Sequence, residues 1–204
     1  MPRPSDYLRE SPSQTAGPYV HIGCTPNFTG IEIYGGDLGA SMKKGPVKGE
    51  EITVRGTVFD GTGTPLRDAL VEIWQPDADG LFASANETRG RADPNFTGWG
   101  RSAGDMETGE FVFDTVRPGR VPWPDGRLQA PHITVWVVAR GINIGLHTRL
   151  YFADEAEANA EDPILSRLEH RNRIPTLLAQ SEGEGTFRFD IHLQGPKETV
   201  FFDM

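Results

Sequence analysis

Cysteine is almost absent: Cys24 stands alone, so an internal disulfide is excluded and a thiolate metal cluster lacks ligands. Such usage fits a reducing compartment, and the cytoplasm is the expected location. No apolar run approaches the ~18 residues of a membrane span. The opening Met1-Pro2-Arg3-Pro4-Ser5-Asp6 lacks the apolar segment of a signal peptide, so no leader is expected. Positive charge is also short. Lys and Arg total 20 against 29 Asp and Glu, and the net charge of -9 would repel nucleic acid rather than gather it. Lysine is confined to Lys43, Lys44, Lys48 and Lys197. The remaining basic residues are arginine, which suits interfaces and carboxylate recognition, although codon bias of a source genome is the simpler cause of that skew.

What the chain does have is alternation. In Pro131-His132-Ile133-Thr134-Val135-Trp136-Val137-Val138, the aliphatic Ile133, Val135 and Val137 interleave with His132, Thr134 and Trp136. That is the period of a strand with one core-facing side. The other side carries an imidazole, a hydroxyl and an indole, with Arg140 and Gly141 at the strand's exit. Residues two apart point the same way, so His-x-Thr falls one residue short of a His-x-His metal site.

Further strands are expected around Ile52 to Val58, Leu70 to Trp74, Glu110 to Val116, Leu146 to Phe152 and Thr186 to Leu193. In the last of these, Phe187, Phe189, Ile191 and Leu193 point inward, and Arg188, Asp190 and His192 outward. A long loop runs from Leu81 to Trp99. Asp154 is expected to cap a helix from Glu155 to Ala160, and Asp162-Pro163 to start a second. Short strands with Gly and Pro between them indicate a mainly β protein, a β-sandwich over residues 51–204 with a helical excursion at about 153–180. A chain of 204 residues buries roughly 70% of its unfolded surface and folds without a disulfide or structural metal. Residues 1–50 read as an irregular arm. Its Tyr19, Val20, Ile22, Phe28, Ile31, Ile33 and Tyr34 are too apolar for a solvated linker and call for a surface to lie on.

Several segments together resemble the non-haem iron(III) intradiol dioxygenases: Ser13-Gln14-Thr15-Ala16-Gly17-Pro18-Tyr19, Glu72-Ile73-Trp74-Gln75, Asp93-Pro94-Asn95-Phe96, Pro131-His132-Ile133, Ala139-Arg140-Gly141-Ile142-Asn143 and Glu198-Thr199-Val200-Phe201-Phe202. Nearly the whole chain is covered. The resemblance implies a β-sandwich of the intradiol type and an enzyme that opens a catechol ring between its two hydroxyl-bearing carbons with dioxygen. Family members hold ferric iron with two tyrosinates and two histidines, a donor set suited to a hard trivalent ion.

Here the ligand pattern fails at three of four positions. No tyrosine lies between Leu81 and Asp93, Val121 precedes Pro122-Trp123, and Thr134 replaces the second histidine. Only His132 remains, and Gln129 stands where catalytic chains carry an arginine. The chain thus resembles the iron-free subunit of members that act on protocatechuate. Several expectations follow from that likeness. Fe(3+) is held by a catalytic partner subunit. The paired units assemble further, and protocatechuate and dioxygen give 3-carboxy-cis,cis-muconate. The iron ligands are vestigial here, at His132, Thr134 and Val121. Arg140 contacts the substrate's carboxylate, and Thr15, Gly17, Pro18 and Tyr19 line the cavity between subunits, Gly17 by allowing close approach and Pro18 by fixing the loop.

Blander readings stand beside these. Arg140 can pair with any acidic residue, Thr15 to Tyr19 can be a packing turn, and the four tryptophans can be core or interface anchors. A self-sufficient metalloenzyme using His132, His147 or His192 remains an alternative. So does a non-catalytic small-molecule-binding sandwich, since fold does not fix function.

Overall fold

A computed structural model of the chain describes residues 14–17 and 19–203; the first 13 residues, Pro18 and Met204 lie outside the described residues. Among the described residues the β-sandwich is built from nine strands. β1 (Glu51–Phe59), β4 (Glu110–Val116), β8 (Thr186–Arg188) and β9 (Ile191–His192) group on one side. β2 (Leu70–Trp74), β3 (Trp99–Ala103), β5 (His132–Val138) and β6 (Leu146–Phe152) group on the other. β7 (Leu178–Gly183) joins the two, parallel to β6 and antiparallel to β8, so the strand order runs β3-β2-β5-β6-β7-β8-β1-β4.

Alternation places the core as the sequence implies. Ile133, Val135 and Val137 face inward against Ile52, Val54, Phe111 and Phe113, all in one buried cluster. Burying each such side chain contributes about 1.5–3 kcal/mol. Phe187, Phe189 and Ile191 are buried as expected, while Leu193 packs at the edge. Gly56 lets β1 come close to the segment between β8 and β9: a Cβ there would lie 1.8 Å from the Phe189 carbonyl oxygen.

Four expectations need correction. The arm contains a short helix, α1 (Tyr19–Cys24). The Leu81–Trp99 loop ends in β3, and the stretch after Phe152 is not free of strands, because β7 occupies 178–183. Asp154 does not cap α2 (Ala156–Glu161), whose N-cap Glu155 makes no side-chain cap bond. Asp154 instead pairs with Arg117 at 2.7 Å, an ionic partner that outcompetes a cap. Asp162 closes the turn that leads into a short 3-10 segment, Leu165–Arg167, without being its N-cap: its Oδ1 accepts from the N–H groups of Ile164 and Leu165 at 2.8 and 2.9 Å.

The excursion covers part of the outer face of β5 and β6. Ala130, Tyr151, Ala158, Leu165 and Leu177 form a second buried cluster there, with Val200 and Phe202 packed against it. Phe201 packs on the main core. The C-terminal apolar residues are thus held by the chain's own surfaces. The arm divides differently. Residues 39–44 are tied to the sandwich through Arg101 N–H to Gly39 O and Lys44 N–H to Asn95 O, and Met42 enters the main core. Tyr19, Ile22, Phe28, Ile31, Ile33, Tyr34 and Leu38 remain exposed, seven of the eleven exposed large apolar side chains among the described residues.

Candidate functional site

Three distant segments meet at the exit of β5. Ala139 is fully buried and anchors the turn, Gly141 takes a φ of 86° that a side chain would strain, and Arg140 projects between them with its side chain 66% exposed. Thr15 reaches in from the arm: its hydroxyl donates to Ala139 O at 3.2 Å and accepts from Gly141 N–H at 2.7 Å. Asp68, in the loop between β1 and β2, accepts from Arg140 Nε through its carboxylate. The Asp68 backbone carbonyl accepts from His21 Nε2 on α1 at 3.0 Å. Arg140 and Thr15, separated by more than half the chain, are therefore adjacent.

The other residues of the arm motif are placed less directly. Gly17 O accepts from Val20 N–H at 3.1 Å, and a Cβ on Gly17 would meet nothing within 4 Å among the described residues. Tyr19 is 78% exposed, and Pro18 lies outside the described residues.

His132 occupies a different place, on β5 opposite Tyr151 of β6 and beneath the excursion. The Nδ1–H donates to Ala130 O at 2.8 Å. Burial, with the Arg149 charge adding to it, lowers the imidazole pKa to about 4, so the ring is neutral near pH 7. Around it runs a closed polar network. Arg149 donates to Gln129 Oε1 at 2.8 Å, Ala130 N–H donates to Asp162 Oδ2 at 2.8 Å, and Tyr151 Oη donates to Asp162 Oδ1 at 3.4 Å. Sequence reasoning missed Tyr151 and Asp162 here. Their only signal was register, since Tyr151 falls opposite His132 once β5 and β6 pair.

These residues do not fit ferric iron. Tyr151, the phenol beside His132, is already engaged with the Asp162 carboxylate, and burial first and Asp162 second push its hydroxyl upward. Val121 is buried and offers no donor, and Thr134 faces an outer groove of about 350 Å³ with Trp74, Trp99, Trp136 and His147. His147 pairs with Trp136, four residues along β5 from His132 and so roughly 13 Å away. His192 stacks on Phe59 on the opposite side of the sandwich, centroids 5.0 Å apart. Among the described residues no group of three or more His, Cys, Asp or Glu side chains is arranged to hold a metal. The histidines of a self-sufficient site are dispersed. Trp74, Trp99, Trp123 and Trp136 are all partly buried and none belongs to the fully buried core.

A two-sided β-sandwich with a His-bearing central strand and a helical cover defines a class. The family model described as "Dioxygenase" matches residues 26–195, and the chain belongs to that family, the intradiol dioxygenases. It is 44% identical over 203 residues to the protocatechuate 3,4-dioxygenase alpha chain of Pseudomonas putida, covering 98% of this chain and 99% of that one. Identity to the alpha chain from Burkholderia cepacia is 38% over 206 residues, 97% and 98% of the two chains. The Burkholderia cepacia beta chain matches at 33% over 168 residues, 78% of this chain and 71% of the other. In fold, the chain is similar to catechol 1,2-dioxygenase from Acinetobacter sp. ADP1. The TM-score is 0.55 at 20% identity, over 78% of this chain and 62% of that one.

Proposed function

We propose that this chain is the iron-free α subunit of a protocatechuate 3,4-dioxygenase and works only with a β chain that holds the ferric iron. The pair opens protocatechuate with dioxygen to 3-carboxy-cis,cis-muconate, within the bacterial β-ketoadipate route, in the cytoplasm and in a higher-order assembly of αβ units. The observation that carries this reading is the end-to-end likeness to alpha chains, 44% over 98% of the sequence, against 33% over 78% for a beta chain. The surroundings of His132 agree with it: the ring is buried and donates to Ala130 O, and the buried Val121 offers no donor, so metal chemistry would fall to a partner.

This subunit's own share is architectural and electrostatic. The exposed apolar residues of the arm lie on the β chain, and Thr15 to Tyr19 shape the wall of a cavity between subunits. Arg140 supplies a cation where a net charge of -9 would otherwise repel a carboxylate substrate. Its planar guanidinium suits bidentate carboxylate binding. Expression of the chain alone and beside a β chain with an intact ligand set, followed by metal analysis and spectroscopy, tests the reading. The lone chain is expected to be colourless with far less than one iron per polypeptide, and the pair to be coloured with about one iron per αβ unit. A lone chain carrying one ferric ion and a tyrosinate charge-transfer band overturns it.

A further inference from the structure

Arg140 is held through one edge only. The Asp68 carboxylate takes the Nε–H, and no described side chain takes the terminal Nη1 and Nη2 groups. An ion pair with a 66% exposed guanidinium contributes little to stability, so its main consequence is orientation rather than folding. Asp68 is itself fixed. Its side chain is only 22% exposed, and its carbonyl is tied to the buried His21 of α1. Thr15 fixes the turn that carries Arg140 from the other side.

We propose that Asp68 is a positioning residue for carboxylate recognition: it occupies the Nε edge of Arg140 and leaves the two terminal NH2 groups aimed outward as a ready-made fork for an aromatic carboxylate. This rests on the reading of Arg140 given above. A guanidinium has five N–H groups in a rigid plane, so fixing one edge fixes the direction of the others. A free arginine would have to lose its rotamer freedom on each binding event; one already pinned by Asp68 has lost it beforehand. His21 belongs to the same device, because it keeps the Asp68 backbone in place while the carboxylate is engaged.

The test uses the assembled αβ enzyme with protocatechuate and catechol compared side by side. Asp68→Ala is expected to raise KM for protocatechuate roughly three- to tenfold with a much smaller change in kcat, and to lower the protocatechuate-to-catechol ratio of kcat/KM accordingly. Asp68→Asn keeps an acceptor for Nε–H and is expected to restore most of that loss. On an Arg140→Ala background, Asp68→Ala is expected to add nothing on protocatechuate. Should Asp68→Ala yield no complex, Asp68→Glu replaces it: charge is kept, the carboxylate is displaced by one methylene, and the same rise in KM is expected. Tighter protocatechuate binding in either neutral variant means that Asp68 competes with the substrate, and overturns the assignment. Equal losses on both substrates, or an undiminished loss without Arg140, also overturn it. If Arg140→Ala itself leaves the substrate ratio unchanged, the Arg140 reading fails; if only the Asp68 variants leave it unchanged, the positioning role alone fails.

Discussion

Thr15 Oγ1 bridges the turn around Gly141, accepting from its N–H at 2.7 Å while donating to Ala139 O at 3.2 Å. One hydroxyl thus satisfies both sides of the peptide pair that flanks Arg140, and it comes from a segment 124–126 positions away in the chain. The arm and the β5 exit are therefore one structural unit.

Thr15→Ala removes both bonds, each contributing about 0.5–1.5 kcal/mol to holding the turn, and is expected to pass part of that loss to substrate binding, weakening protocatechuate roughly three- to tenfold. Thr15→Ser keeps the hydroxyl and is expected to stay within about twofold of the parent. Steady-state kinetics of the assembled enzyme reads both. An alanine variant with parental KM would detach the arm from Arg140.

Gly56→Ala is expected to destabilise the fold by roughly 3 kcal/mol or more, the range for overpacking against groups that cannot move. Its Cβ would meet the Phe189 carbonyl oxygen at 1.8 Å and carbon at 2.6 Å, both backbone. The Phe189 N–H to Arg55 O bond, 2.8 Å, would have to break. Chemical denaturation measures the loss; a parental midpoint contradicts the packing described.

His132 should make stability depend on pH. Its folded pKa is about 4 against an ordinary 6.5, so between those values the unfolded chain binds more protons than the folded one. The stabilisation is complete above about pH 6.5 and is lost as pH falls towards 4. Replacing the imidazole by an amide, His132→Gln, is expected to lower stability at pH 7 but to flatten the fall between pH 7 and 4.5, read as unfolding midpoints against pH. A variant that falls as steeply as its parent contradicts a neutral buried ring.

The exposed arm residues predict behaviour without a partner. The lone chain is expected to self-associate, and Ile33→Ser with Leu38→Ser, positions 63% and 67% exposed, to reduce that association while weakening binding to the β chain. Light scattering and titration with the β chain separate the two effects. A monodisperse lone chain whose β affinity is untouched by the substitutions counts against the arm as an interface. The C-terminal Val200, Phe201 and Phe202 are not expected to contribute, being packed on the chain's own clusters.

How legible the molecule was depended on the element. β5 announced itself because one face is purely aliphatic, and β1, β2, β4 and β6 carried enough alternating apolar residues to follow. β3 did not, since Trp99-Gly100-Arg101-Ser102-Ala103 has little apolar period; it is specified by its register with β2. β7 is polar and mostly exposed beyond Ala179, and it is a strand only because β6 and β8 supply neighbours on both sides. That Val121 and Thr134 carry no imidazole or phenol could be read directly. The network that fills the place, with Tyr151, Arg149, Gln129 and Asp162, could not, because it depends on strand pairing and on how the excursion folds back. The Arg140 partner was likewise one of 29 acidic residues until the fold selected Asp68.

The most direct test of the central claim is the substrate preference of the αβ enzyme carrying Arg140→Ala. Protocatechuate binding is expected to weaken by about 1.5–3 kcal/mol, roughly ten- to a hundredfold, the range for losing a charge-assisted hydrogen bond. The loss on catechol, which has no carboxylate, is expected to be several-fold smaller, with iron content and assembly at parental levels. Equal losses on the two substrates would contradict the account, because Arg140 would then support the subunit interface rather than read the substrate.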